Sequence, residues 1–209
     1  IIRSYSTEIS NDGRYVIYAS TYDYGIKIWD LLEEKCIHHI ERNYNWINYI
    51  SISPDSKQFI VADDDIELWD IEKGSCIKKY NIKSQLYSYI SAVFSPDGTK
   101  IASTDSGRVI RIWDINTGEC IESYNCFTDV SNVMFCPDNT SVLVIADANT
   151  IRKYRTYENI ISETLAGEIL ATGIRREESI IASLNDIIDM VCYSPDGRFI
   201  LSSVRDGNI

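Results

Sequence analysis

Three Trp-Asp pairs recur along this chain, at Trp29-Asp30, Trp69-Asp70 and Trp113-Asp114, with intervals of 40 and 44 residues. A second landmark keeps the same step. Ser10-Asn11-Asp12-Gly13, Ser53-Pro54-Asp55-Ser56, Ser95-Pro96-Asp97-Gly98, Cys136-Pro137-Asp138-Asn139 and Ser194-Pro195-Asp196-Gly197 are five copies of one turn, with Asp-to-Asp steps of 43, 42, 41 and 58. Two independent landmarks with a common period of about 42 residues make the chain an array of one supersecondary unit, not a single mixed core. A unit of this size cannot bury its apolar surface alone and must stack on its neighbours.

The segments between landmarks read as short strands. Apolar runs precede the turn, as in Ile47 to Ile52, Tyr89 to Phe94 and Val130 to Phe135. β-Branched or aromatic runs follow it, as in Tyr15-Val16-Ile17, Phe59-Ile60-Val61 and Val142-Leu143-Val144. The Trp-Asp run comes third, and a fourth run opens at Cys36, Cys76 and Cys120. All four prolines sit in the Ser-Pro-Asp turn, and of ten glycines only Gly167 and Gly173 fall outside the repeat turns. Pro with its fixed φ and Gly with its free one belong in turns, so the breakers agree with the period.

The unit from Phe94 to Tyr124, FSPDGTKIASTDSGRVIRIWDINTGECIESY, resembles the WD-repeat family of β-propellers. The resemblance implies an all-β fold of four-stranded antiparallel blades, four blades plus a truncated fifth, as a partial or open propeller. Blades are expected at about 1–41, 42–82, 83–125 and 126–165, followed by an insertion at 166–186 and a partial blade at 187–209. Trp29, Trp69 and Trp113 are expected between blades, with Lys27 and Arg111 alternating outward. Two departures stand out. Tyr154-Arg155 replaces the fourth Trp-Asp pair. The family's Gly-His pair is absent, its places being held by Asn43, Gln85 and Cys126, while the aspartates that its histidine would bond persist at Asp23, Asp63, Asp105 and Asp147. The family's hydrogen-bonded tetrad therefore does not carry over, and less rigid blades are expected.

The net charge of -11 and pI near 4.6 argue against nucleic acid and against an anionic membrane surface. No apolar run approaches the 18 or so residues of a membrane helix. Cys36, Cys76 and Cys120 share one slot in three blades, too far apart for disulfides, so all six cysteines are expected to be free packing thiols in a reducing, cytoplasmic setting. The chain opens on Ile1 and stops within a repeat, so it is read as part of a longer protein whose remainder completes the propeller. Within the insertion, Ile174 to Leu184 reads either as a short helix or as a degenerate hairpin. The insertion itself is either a tolerated loop or a partner-specific attachment.

The sequence offers little chemistry. His38 and His39 are adjacent on an outer strand and face opposite ways. There is no Cys-x-x-Cys pair and no Gly-rich phosphate loop, so no catalytic residue, metal ligand or cofactor is assigned. The family resemblance implies that the loops before the Trp-Asp strands and the loops between blades share one partner face. Asp64, Asp65, Tyr22 and Tyr24 lie on the first set, and Tyr44, Trp46, Tyr87 and Phe127 on the second. Acids interleaved with aromatics suit a basic peptide or protein; alternatively the aspartates only shape turns. The expected function is a non-catalytic protein-interaction scaffold. The alternative is a regulatory or sensor module of a longer signalling protein whose enzymatic domain lies outside this chain.

Overall fold

The structure, a computed structural model, describes residues 4–20, 25–42, 47–80, 88–156, 178–183, 187–194 and 197–204. The repeated turn shows how short polar motifs set the strand spacing. The Ser10 hydroxyl donates to Asp12 Oδ1 at 2.5 Å and accepts the Tyr15 N–H at 2.8 Å, while Asp12 also accepts the Arg14 N–H. Ser53 with Asp55, and Ser95 with Asp97, make the same bonds. The fourth turn residue is left-handed in every copy, with φ of 72° at Gly13, 61° at Ser56, 71° at Gly98, 59° at Asn139 and 70° at Gly197. Gly takes that conformation without strain, and Asn tolerates it better than most residues. The aspartate of each Trp-Asp pair closes the next turn: Asp30 accepts the N–H groups of Leu32 and Glu33, Asp70 that of Lys73 and Asp114 that of Thr117.

These turns fold the chain into consecutive antiparallel sheets whose strand order follows the sequence. Blade one is β1 (Ser4–Ile9), β2 (Tyr15–Ser20), β3 (Gly25–Asp30) and β4 (Lys35–Glu41). Blade two is β5 (Tyr49–Ile52), β6 (Gln58–Ala62), β7 (Ile66–Asp70) and β8 (Ser75–Tyr80). Blade three is β9 (Tyr89–Phe94), β10 (Lys100–Asp105), β11 (Val109–Asp114) and β12 (Cys120–Asn125). Blade four is β13 (Val130–Phe135), β14 (Ser141–Ala146), β15 (Thr150–Arg155) and β16 (Glu178–Ser183). A two-stranded sheet follows, β17 (Ile188–Tyr193) with β18 (Ile200–Val204). No helix occurs among the described residues. The fold is an all-β propeller arrangement, partial or open.

The outer strand of blade four lies inside the 166–186 span set apart by the broken period, so this blade is not complete by residue 165. The extra length therefore falls between β15 and β16, a connection that takes only 31–34 in blade one. Of the segment from Ile174 to Leu184, residues 178–183 are strand and not helix; 174–177 and 184 lie outside the described residues.

The core is a stack of layers between blades. On β6, Phe59 and Val61 pack with Ile17, Ile26 and Ile28 of blade one, while Ile60 and Ala62 pack with Ile101 and Trp113 of blade three. On β14, Val142 and Val144 face blade three, and Leu143 and Ile145 face Ile188 and Val191. A middle strand covered on both sides reads as a continuous apolar run instead of alternating with polar residues. Each buried Ile or Val contributes about 1.5–3 kcal/mol.

The tryptophans occupy the side of their blade that faces the preceding one. Trp113 is 1% exposed, edge-on to Tyr80 and Tyr89. Trp69 packs half-buried against the blade-one layer. Trp29 departs from the expected core placement: it is 37% exposed, because no described blade covers that face. Arg111 also departs from expectation, since it is buried instead of pointing outward.

Candidate functional site

Antiparallel order sends the connections of every blade to two opposite ends. The Ser-Pro-Asp and post-Trp-Asp turns occupy one end. The loops before the Trp-Asp strands and the loops between blades occupy the other, where backbone bonds lace them together. Tyr89 N–H donates to Asp63 O, Ser106 N–H to Ser88 O, Cys126 N–H to Arg108 O, and Asp147 N–H to Asp129 O. Asp64, Asp65 and Phe127 stand at this laced end. Tyr22, Tyr24, Tyr44, Trp46 and Tyr87, with Asp23, lie outside the described residues. Asp64 is exposed and accepts a bond from the Ser88 hydroxyl at 2.9 Å. Asp65 lies 4.0 Å from Lys79 Nζ, and its N–H donates to Asp63 Oδ1. Phe127, on the loop joining blades three and four, is 95% exposed.

Beneath the loops runs a row of buried ion pairs that the sequence reading missed. In blade three, Asp105 Oδ1 accepts the N–H groups of Gly107 and Val109, Asp105 Oδ2 pairs with Arg111, and the Trp113 indole donates to Ser103 Oγ at 2.9 Å. Asp105 is thus a turn former and an ion-pair partner together. The equivalent of Arg111 in blade two is Glu67, which sets two acids side by side. Arg42 compensates. Its NH1 lies 2.5 Å from Glu67 Oε2 and its NH2 lies 2.9 Å from Asp63 Oδ2, the latter without hydrogen-bond alignment. Lys79 adds a bond to Glu67 at 2.6 Å, and the Trp69 indole donates to Glu67 Oε2. Burial pushes the Glu67 carboxyl up, but Lys79 and Arg42 hold it below the usual range; for Asp63 burial outweighs Arg42, and its carboxyl is raised. The signal in the sequence was the change of sign two residues before the Trp: Lys27, Glu67, Arg111, and Arg152 before Tyr154.

The innermost strands are joined by polar side chains. Ser6 Oγ accepts the Ile50 N–H at 2.9 Å, Glu8 Oε2 accepts the Ile52 N–H at 2.6 Å, and Asn48 Nδ2 donates to Tyr89 O at 2.7 Å. Burial pushes the Glu8 carboxyl up to about 7 despite its bond from Ile52. Polar groups also clasp blade to blade at the turn end, where His38 Nε2 sits 2.7 Å from Glu72 O and Lys78 Nζ donates to Ile115 O. His38 is thus spent on structure. Among the described residues no group of three or more His, Cys, Asp or Glu could hold a metal ion, and no helix is long and apolar enough to cross a membrane. All six cysteines are free. Cys36 and Cys76 share their slot with Cys120 as expected, each thiol facing the carbonyl two residues on, but Cys36, Cys76 and Cys192 are exposed and not packing thiols.

A family described as the NWD2 C-terminal beta-propeller matches residues 37–168, more than half of the chain. A WD domain, G-beta repeat, matches residues 180–209. Pre-mRNA-processing factor 19 of Oryza sativa subsp. japonica is 24% identical over 224 aligned positions, covering 90% of this chain. The chain spans 42% of that relative's length.

Proposed function

Because this chain belongs to the NWD2 C-terminal beta-propeller family, a family of WD-type propellers that in general hold protein partners without catalysis, we propose that it is a protein-interaction scaffold for a partner that bears basic side chains. The laced loop end supports this reading: a backbone bond from Tyr89 to Asp63 joins blades two and three, the loop between blades three and four is held at both ends, and Asp64, Asp65 and Phe127 stand on these loops. Carboxylates on such an end steer a Lys- or Arg-bearing partner by charge, and an aromatic adds contact area. The partner is an intracellular protein, not nucleic acid or a membrane surface. Further blades of the same polypeptide cover the free face of blade one, where Ile9, Trp29 and Leu31 are exposed at positions whose blade-two equivalents, Ile52, Trp69 and Ile71, pack against a preceding blade.

Calorimetric titration with an octalysine peptide tests the reading. Binding is expected at low salt and weakens as ionic strength rises, since exposed charges are screened over about 8 Å at physiological salt. Asp64→Asn with Asp65→Asn slows association in stopped-flow mixing. Binding of an octaglutamate peptide with equal affinity, or a double variant that associates as fast as the parent, removes the acidic face from the account.

A further inference from the structure

We propose that Phe127 is a projecting anchor that enters an apolar pocket on a folded partner, a pocket rimmed by basic side chains. The inference rests on the partner-face reading and deepens it: this chain supplies the knob, and the partner the hole.

Among the described residues, the other large aromatics left exposed are Trp29 and Phe199, in or beside the first and the last described sheet, where one face has no described neighbour. Phe127 has no such uncovered sheet beside it. It stands between blades three and four, which pack on each other through Ala102, Ile112, Val133 and Val144, and yet it is the most exposed large apolar residue among those described. An aromatic side chain carries about 150–250 Å² of surface to bury, and here the fold buries almost none of it.

The loop that carries Phe127 is short and held at both ends. Only Cys126 to Asp129 link β12 to β13. Cys126 N–H donates to Arg108 O at 2.8 Å, and Asp129 O accepts the Asp147 N–H at 3.0 Å. Both ends of the loop are thus pinned, one to blade three and one to blade four. Arg108 Nε donates to Asp129 Oδ1 at 2.7 Å, from a residue whose φ of 66° is left-handed and uncommon for arginine. A side chain held out by a fixed loop loses little freedom on binding, and such rigid aromatics make effective anchors.

Charge selects the partner's rim. Beside Phe127, Asp129 is 82% exposed against 54% for its partner Arg108, and Asp147 is more exposed than Arg152, so the carboxylates lie farther out than the cations that face them. A pocket bordered by Lys or Arg matches this ring; one bordered by acids is repelled.

The test places p-benzoylphenylalanine at position 127 of the full chain in its own cells, and separately at position 121, an exposed rim position of blade three. The chain captured by photolysis is identified by mass spectrometry and purified. It is then titrated against the parent, Phe127→Ala, Phe127→Trp and Asp129→Asn. The expected result is capture from 127 but not from 121, with the crosslink on a folded domain. Phe127→Ala weakens binding about 30-fold or more at an unchanged melting temperature, Phe127→Trp stays within a few-fold, and Asp129→Asn flattens the salt dependence. A captured partner that binds Phe127→Ala like the parent, or whose crosslink lies in an extended basic segment, overturns the anchor while leaving the partner face in place. Capture from 121 alone, or from neither position, overturns both.

Discussion

Burial between the first two blades lifts the Glu8 carboxyl from its ordinary value to about 7, so the folded chain holds this proton more tightly than the unfolded chain does. A group with a raised folded pKa contributes stability that is complete below its unfolded value, near 4.5, and is lost as pH rises through about 7. The melting temperature of the parent is therefore expected to fall between pH 5.5 and pH 8. Glu8→Gln keeps an oxygen for the Ile52 N–H without a titrating proton, so its melting temperature should fall less across the same window. Parallel curves for the two proteins would show that Glu8 is not the titrating group. Such residue-level chemistry was only partly legible in the sequence. The period placed Trp113 between blades, and it lies there. Trp29 holds the same repeat position but a different environment, because burial depends on what stacks against the blade, which the local sequence does not state. Arg42 was hidden for a related reason: it compensates an acidic pair, Asp63 and Glu67, that becomes adjacent only when strand and loop are brought together.

At the scale of the element, the strands and turns were legible because each is set by chemistry within a few residues: Ser and Asp closing one turn, the Asp of Trp-Asp closing the next, Gly or Asn at the left-handed corners. The place of the extra residues was not, since a long step between landmarks does not say which connection of the blade holds them. The turns also differ in what surrounds them. Gly13 and Gly74 are both left-handed, with φ of 72° and 60°. A Cβ on Gly13 meets nothing within 4 Å, whereas one on Gly74 would lie 2.5 Å from the His38 ring, which reaches over this turn to Glu72 O. Gly13→Ala is expected to cost only the left-handed penalty of about 1–2 kcal/mol. Gly74→Ala must in addition displace the imidazole and break the clasp between blades one and two. Urea denaturation should therefore rank Gly74→Ala clearly below Gly13→Ala in stability; equal losses would mean that the clasp contributes nothing.

At the scale of the whole molecule, a stack of blades behaves as a one-dimensional array, in which each unit is stabilised by its two interfaces. Blades two and three are covered on both sides by aliphatic layers. Blade one is covered on one side, and the two-stranded sheet β17–β18 offers Ile187, Phe199 and Leu201 to solvent. Opening a unit with one interface exposes less apolar surface than opening a unit with two, so it happens more often. In hydrogen exchange followed by mass spectrometry, amides of β6 and β10 are expected to exchange most slowly, those of β2 and β3 faster, and those of β17 and β18 fastest. If further blades cover the free face of blade one in a longer form of the protein, that form should raise the protection of β2 and β3 to the level of β6. The same exchange rate in all five sheets of the present chain would point instead to a single cooperative unit, and would contradict the layered account of its stability.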